Sequence, residues 1–386
     1  MAYRMLAGTI LVAGLTSFGG AAVAQDGAEG ARAWLSGELA PPKLAIDYDG
    51  EPITMRFSSF LSPSIKLVSD VWEPAIARLE EESEGKLKVK TYWGGTLHGL
   101  PEGFSAVREG VTDFTHCMTA LDPGHFEIFS ALTIPFMFDN STVATLAAHD
   151  VYPQHLKEEY EGQGVLLAHV TMTPPYNVLT KEPVETLDDL SGLKLRIGGG
   201  LQSDVISALG AVPVNIPSRE LFTGFQTGVI DGVVFHDAAL VSFRAADVGK
   251  YKTAIELLNN SSEYCLSRKF YEDLPESLKP VLARWMQELA VAEAQLFYDG
   301  FGEEALKQMD EGGIEIVELS DDERARWKAA TDTAVTAYIS TMSDKGHDIS
   351  GMIDAMNAAA EKYSAMSSID QMKSAMENPV TGVLSE

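Results

Sequence analysis

Arg196 is the side chain in this sequence best suited to chemistry, and the chemistry it suits is the binding of an anion. It lies near the end of a short alternating segment at 193–197, and three glycines follow at 198–200 before an apolar-periodic segment begins. A guanidinium offers a planar fork of donors that matches a carboxylate. Glycine lets the backbone approach a ligand closely, and the free N–H groups at a helix start favour negative charge. The sequence therefore predicts a carboxylate site at this turn.

A second interpretation of Arg196 is open on the residues alone. The chain has 56 Asp and Glu residues against 29 Lys and Arg residues, so an arginine finds acidic partners easily. In that interpretation Arg196 is a structural arginine in an ion pair. Residue type and spacing do not separate the two.

The sequence around Arg196 favours the binding interpretation, because four segments in the same order resemble one protein family. The blocks are DDLSGLKLR at 188–196, ALGAVPV at 208–214, ELFTGFQ at 220–226 and GVIDG at 228–232. They resemble the solute receptors of TRAP transporters, the periplasmic DctP-type proteins that feed organic acids to a membrane permease. The resemblance covers about 53–344. It implies a binding receptor that needs no catalysis and no cofactor, with Arg196 as the residue that holds the ligand carboxylate.

The sequence departs from that family at two places that bear on the ligand. Many members carry a second arginine where this chain has Pro175, and many carry Asn-Pro where it has Phe235 and His236. One fixed cation beside a less polar wall argues against a sugar acid. The expected ligand is a small organic anion, most simply a monocarboxylate or aromatic acid, and a zwitterion also fits because its cation could rest on aromatic faces.

Several aromatic residues are candidates to line the site. Tyr92, Trp93 and Phe235 lie at predicted strand ends, and Tyr176 stands at a crossing between the two predicted lobes. The alternative for each is a packing role in the core or at the hinge. Pro175 belongs to the same crossing.

Three polar residues of the same region have competing interpretations. His236 could donate to the ligand or cap a turn. Ser218 is predicted chiefly as the N-cap of the helix that runs through 220–226, with ligand contact as the lesser alternative. Asp237 could help to hold a cation that bridges a carboxylate, which is a minor alternative; no metal site is predicted.

The elements that must position these residues follow an alternating β-α-β-α order. Strands are predicted at 53–59, 87–93, 165–172 and 176–180, with Thr-Pro-Pro between the last two as a crossing into a second lobe. A strand at 251–258 leads to a second crossing near 259–260. The helical segment at 278–309 corresponds to the long helix that braces both lobes in the family.

The predicted fold is therefore an α/β two-lobed periplasmic binding protein clamshell, in which each lobe is a mainly parallel sheet flanked by helices. Lobe I is expected to take 52–172 and about 260–300, and lobe II 173–259 and about 301–345. A C-terminal helix and tail occupy 346–386. In open α/β sheets, ligands bind at the carboxyl ends of the strands, which places the site between the lobes.

The first residues predict export. Residues 1–24 carry one positive charge, an apolar run too short to span a bilayer, and a final Ala-Val-Ala typical of a signal-peptide cleavage site. Residues 25–51 are rich in Gly, Ala, Pro and acids and are expected to have little order. No later segment is apolar for long enough to insert into a membrane. The expected location is the periplasm.

Composition excludes several other functions. The net charge of −27 disfavours nucleic acid and anionic lipid as partners. The two cysteines, Cys117 and Cys265, are expected to be buried free thiols rather than a disulfide. The eight histidines form no tight ligand pair, and neither a phosphate-binding glycine motif nor a nucleophile elbow is present. An exported enzyme or a sensor module on the same fold is the alternative function.

Overall fold

The structure is a computed structural model that describes residues 27–384, so the predicted signal peptide at 1–24 lies outside the described residues. Its strands alternate with helices along most of the chain. In chain order the strands are β1 Ile53–Ser58, β2 Leu87–Tyr92, β3 Phe114–His116, β4 Leu166–Met172, β5 Asn177–Thr180, β6 Lys194–Arg196, β7 Val212–Val214, β8 Gly232–Phe235, β9 Tyr251–Thr253, β10 Ser261–Leu266 and β11 Glu315–Val317.

These strands form two sheets, one for each lobe. The first has the order β2-β1-β3-β10-β4 and the second the order β11-β9-β5-β8-β6-β7. In each sheet a single strand runs against the others: β10 pairs antiparallel with β3 and β4, and β5 pairs antiparallel with β8 and β9. The sheets are thus mainly parallel, as predicted, and the two reversed strands are those that follow a crossing between the lobes.

The two crossings run side by side and are bonded to each other. The backbone N–H of Thr173 donates to the Asn260 carbonyl at 2.8 Å, and that of Tyr176 donates to the Leu258 carbonyl at 2.7 Å. The Asn259 side chain also donates to the Thr173 carbonyl at 2.9 Å. The predicted strand at 251–258 therefore ends early, at Thr253, because the residues after Ala254 belong to the crossing.

Helices cover the faces of both sheets. They are α1 Glu29–Ser36, α2 Glu73–Glu82, α3 Gly103–Arg108, α4 Ser141–Val151, α5 Lys157–Glu161, α6 Leu201–Ala208, α7 Leu221–Thr227, α8 Asp237–Ser242, α9 Arg268–Glu272, α10 Lys279–Ala292, α11 Gly300–Glu311, α12 Asp321–Asp344, α13 Ile349–Ser364 and α14 Ser368–Glu377. Among residues 27–384, no helix is both long and apolar enough to cross a membrane.

The predicted brace helix is present as two α-helices joined by one wider turn. Between α10 and α11, the segment Glu293–Asp299 is π-helical, and this segment is named the π turn here. Such turns are uncommon and often accompany functional sites. Glu293 is fully buried and accepts hydrogen bonds from Thr171 at 2.8 Å and Tyr264 at 3.0 Å. The brace is thereby fixed to the first sheet.

The segment at 25–51 was expected to have little order, and this prediction is wrong at 29–36, where a helix forms. Helix α1 forms at Glu29–Ser36, and Trp34 is fully buried within the core of the first lobe. The Trp34 indole donates to Glu82 at 3.2 Å. The tail, which gave no signal, also forms a helix, α14, that packs on α1 and α10. Burial against the rest of the chain supplies the order that local composition does not.

The expectation of two free thiols is also wrong. Cys117, just after β3, and Cys265, in β10, form a disulfide with a Cα–Cα distance of 5.5 Å. The antiparallel pairing of β3 with β10 brings the two residues together although 148 positions separate them in the chain. The lobe boundaries drawn from the sequence stay a prediction.

Candidate anion site between the lobes

The strand that carries Arg196 ends at a turn that only glycine can make. Leu195 and Ile197 are buried on one side of β6, so Arg196 projects to the other. Gly200 has φ of +62°, and a Cβ there would lie 3.2 Å from Pro123 and Ser130 of the first lobe. A side chain would therefore strain the backbone and press against the opposite lobe. The turn after the Arg196 strand therefore lies directly against Pro123 and Ser130.

Arg196 is held in place by neutral groups. Its Nε donates to the Ile216 carbonyl at 3.3 Å, and its Nη2 donates to the Ser218 hydroxyl at 3.1 Å. The guanidinium lies 4.7 Å from the centre of the Phe235 ring. Within residues 27–384 no carboxylate lies at ion-pair distance from it, so the interpretation of Arg196 as half of a structural ion pair finds no partner in the described chain.

The surroundings of Arg196 disfavour its charge. Burial lowers the pKa of the guanidinium, and only the Tyr176 hydroxyl acts in the opposite direction. Arg196 is half-buried, and a charge removed in part from water without a counter-ion costs free energy that an anion bound beside it relieves. The site is thus electrostatically prepared for a carboxylate.

Strand register explains why aromatic rings surround this cation. In the second sheet Asn177 of β5 pairs with Phe235 of β8, so Tyr176 and Phe235 lie at the same sheet edge as the end of β6. The rings of Tyr176 and Phe235 are 5.1 Å apart. Burial raises the pKa of Tyr176 to about 12, while Arg196 and hydrogen bonds from neighbouring side chains lower it. Tyr176 therefore stays a neutral hydroxyl.

His236 completes this group as a neutral ring. It is 6 % exposed, and its ring centre lies 5.0 Å from that of Phe235 and 5.8 Å from that of Tyr176. Burial lowers its pKa to about 3, and the charge of Arg196 adds to the effect. It precedes helix α8 but makes no capping bond, which removes the turn-cap alternative. Its buried Nδ1 has no hydrogen-bond partner in the described chain.

Ser218 has a role other than the main one predicted. Its side chain does not cap a helix: it lies in a short 3₁₀ turn, Ser218–Glu220, that precedes helix α7 and has no side-chain cap. Its hydroxyl instead accepts the hydrogen bond from Arg196. The N-cap prediction is therefore wrong, because Arg196 reaches across from β6 and engages the hydroxyl. Ser218 orients the guanidinium.

Asp237 is already paired within the protein. Its carboxylate accepts from Lys252 at 2.6 Å and from the Asn177 amide at 3.2 Å. Across residues 27–384 no cluster of acids, histidines or cysteines could hold a metal ion. The minor alternative of a bridging cation on Asp237 thus finds its carboxylate occupied by a lysine.

The remaining candidate ligand-binding residues are Pro175, Trp93 and Tyr92. Pro175 is buried in the first crossing, next to Tyr176. Trp93 packs edge-on against Phe57 of the first lobe, with ring centres 5.4 Å apart. The Tyr92 ring lies 5.3 Å from the Lys90 ammonium. These contacts do not join Tyr92 or Trp93 to the Arg196 group, which consists of Arg196, Tyr176, Ser218, Phe235 and His236. The role of Tyr92 and Trp93 in binding stays a prediction.

The structure adds two features that sequence reasoning missed. Tyr298 of the π turn contacts His236, with ring centres 5.5 Å apart. Asn260 accepts from Gln202 at 2.8 Å and hydrogen-bonds Tyr176, which connects the aromatic group to a cavity between the lobes. Both lobes line that cavity: Thr119, Ala120, Pro123, Phe126, Phe129, Ser130, Thr133, Gly199, Gln202, Asn260 and Ser261. Among these residues, only Gly199 of the glycine turn and Asn260 of the second crossing carried a sequence signal.

Comparison with known proteins identifies the family of this chain. A sequence profile of bacterial extracellular solute-binding protein, family 7 (DctP), matches residues 57–341. The chain belongs to this family. It is 26 % identical over 306 residues to the C4-dicarboxylate-binding periplasmic protein DctP of Rhodobacter capsulatus, across 76 % of this chain and 87 % of that protein. The predicted resemblance to DctP-type receptors is confirmed.

Solved structures of TRAP receptors share the fold of this DctP-family chain. One, from Bordetella bronchiseptica, was solved with bound (R)- and (S)-mandelate; it has 28 % identity and a TM-score of 0.74, and the match covers 81 % of this chain and 99 % of that one. Another, from a marine metagenome, is described as specific for aromatic acids and was solved with 3-hydroxybenzoate; it has 25 % identity, a TM-score of 0.74, and the same coverage. The predicted two-lobed fold is thus confirmed.

Proposed function

We propose that this DctP-family protein is a periplasmic receptor that captures a small organic monocarboxylate with an aromatic or apolar body, and delivers it to a TRAP-type membrane permease. The observation that carries the ligand class is Arg196, a half-buried cation with no acidic partner in the described chain, lying on the Phe235 ring. One guanidinium holds one carboxylate, and the flanking rings accept an apolar body.

Two further features support this ligand class. Pro175 stands where many family members have a second arginine, so a ligand with two anionic or strongly polar ends loses a clamp. Mandelate and 3-hydroxybenzoate, bound by the two related structures, are both aromatic monocarboxylates. These names describe those proteins, and they define the first ligands to test here.

Capture follows from lobe closure. The Arg196 group belongs to the second lobe, whereas the cavity beside it is completed by Pro123 and Ser130 of the first. A ligand that contacts both walls stabilises the closed form over the open one and shifts the population toward it. Closure also removes water from the ion pair and strengthens it. No group has to be transformed for this cycle to work.

The periplasmic location is supported by two independent features. Residues 1–24 have the pattern of a signal peptide. The Cys117–Cys265 disulfide joins two buried residues, and such bonds persist in oxidising compartments such as the periplasm.

The test is a thermal-shift screen of the mature protein with mandelate, 3-hydroxybenzoate, succinate and glucuronate. We expect the two aromatic monocarboxylates to raise Tm most, and Arg196→Met to abolish that rise while the empty variant stays folded. Arg219→Met is the matched control, because Arg219 is exposed and pairs with Glu220 on the same loop. A full response in Arg196→Met, or none in the unmodified protein, contradicts the proposal.

A further inference from the structure

The two terminal helices meet on the π turn of the brace. Helices α1 and α14 both lie outside the residues that match the family profile, 57–341. Gln295 of the π turn is fully buried between them: its Oε1 accepts from the Ala31 N–H at 2.8 Å, and its Nε2 donates to the Ser368 carbonyl at 2.9 Å. One side chain therefore joins both ends of the described chain to the brace.

The fit between these helices leaves no spare room. Gly30 of α1 is buried, and a Cβ there would lie 2.3 Å from the Ser368 carbonyl oxygen, a backbone atom that cannot rotate away. The helices approach this closely because residue 30 has no side chain. The docking of α1 on α14 is thus built into the backbone.

The opposite end of the same turn reaches the anion site. Tyr298 packs edge-on against His236, with ring centres 5.5 Å apart, and His236 contacts both Phe235 and Tyr176. Asp299, the last residue of the turn, accepts from the N–H groups of Ser141 and Thr142 at 2.8 and 3.1 Å. The turn is therefore tied to the first lobe and, through Tyr298, touches the second.

We propose that the terminal helices are a positioning device for the anion site: through Gln295 they fix the π turn, and through Tyr298 the turn holds His236, so that the helices set how readily the lobes close. The inference uses the proposed function only to name the site. Gln295 and Gly30 are positioning residues, and neither belongs to the binding group. Loosening the docked helices frees the π turn and lets the lobes separate further.

The experiment measures the distance between the lobes directly. Nitroxide labels are attached at Lys88→Cys in β2 and Val229→Cys after α7, which are both exposed. In the ligand-free protein, Gln295→Met removes both bonds at similar volume. Gly30→Ala instead wedges the helices apart, since its Cβ would lie 2.3 Å from the Ser368 carbonyl oxygen and 3.0 Å from the Gln295 Oε1. We expect both variants to show a longer and broader interlobe distance distribution, and to bind 3-hydroxybenzoate about threefold to tenfold more weakly.

Two controls match these variants. Gly27→Ala adds a methyl group where nothing lies within 4 Å, and Gln308→Met changes an exposed glutamine of the same brace. Both should reproduce the unmodified distribution. If Gln295→Met and Gly30→Ala lower Tm but leave the interlobe distribution unchanged, the helices are merely structural and the inference is overturned. Because this arm needs no ligand, it decides the matter even if 3-hydroxybenzoate does not bind.

Discussion

At the scale of single residues, the site is defined by what its polar groups lack. Arg196 has neutral partners and an aromatic neighbour, and His236 is a buried imidazole whose Nδ1 has no partner in the described chain. Buried polar groups are normally hydrogen-bonded, so the unpaired Nδ1 of His236 and a guanidinium that has only neutral partners mark this edge of the sheet as a place for a polar ligand. Residue types predicted the arginine, but its lack of an acidic partner became visible only in the structure.

Phe235 should decide which acids the site prefers. Phe235→Asn removes the ring under the guanidinium and restores the amide that many family members carry. We expect 3-hydroxybenzoate to bind about 5- to 30-fold more weakly, which corresponds to the loss of about 1 to 2 kcal/mol of ring contacts, while succinate gains relative affinity. Titration calorimetry checks this. Phe222→Asn is the control, because it removes a similar ring beside Arg244, and it should leave the affinity for both acids unchanged. If the ratio of the two affinities is the same in Phe235→Asn as in Phe222→Asn, Phe235 is not part of the site.

His236 predicts how binding responds to pH. Its pKa of about 3 keeps the ring neutral, so the affinity for 3-hydroxybenzoate should be flat between pH 6 and 8. The free energy of unfolding responds differently to pH. Below the ordinary histidine pKa of 6.5 this side chain is protonated in the unfolded chain but not in the folded one. His236 therefore lowers the stability of the folded protein as the pH falls below 6.5. Calorimetry at several pH values checks the first point, and an affinity step centred near 6.5 would contradict it.

At the scale of elements, local patterns predicted more than distant contacts. The strand that ends at Arg196, the glycine turn and helix α6 were read correctly because each depends on neighbouring residues. Helix α1 and the role of Ser218 were not, because Trp34 and Ser218 are positioned by partners far along the chain. For the same reason the sequence did not predict Tyr298 as a neighbour of the site, since nothing near position 298 indicates that this residue contacts His236.

The disulfide gives a prediction at this scale. Replacing both cysteines by alanine opens a link across 148 residues, and we expect a loss of about 2 to 5 kcal/mol of unfolding free energy. Denaturant unfolding should show this loss under oxidising conditions. Because Cys117 and Cys265 are buried, a reductant reaches their disulfide only when the protein unfolds. The unmodified protein should therefore be less stable after it has been unfolded and refolded with reductant. The double variant should be equally stable with and without reductant. Equal stabilities with and without the bond would contradict the prediction.

At the scale of the whole molecule, the dominant property is charge. A net charge of −27 opposes compaction through self-repulsion, and salt screens that repulsion. We expect Tm to rise when sodium chloride increases from 10 to 500 mM without ligand, since the Debye length falls from about 30 Å to a few Å. Differential scanning calorimetry checks this, with sucrose as an uncharged control for solvent exclusion. A Tm that stays constant or falls would show that attractive ion pairs outweigh the repulsion.

The paired crossings between the lobes constrain the motion that the molecule can make. Because Thr173 and Tyr176 are bonded to Asn260 and Leu258, the two linking segments cannot slide past each other without breaking backbone bonds. Bonded crossings of this kind favour a rotation about an axis through them over a shear, if the lobes open. In such a rotation, atoms near the axis move little and the outer edges of the lobes move far. The cleft can then open widely enough for a solute, and the site residues return to the same relative positions when it closes.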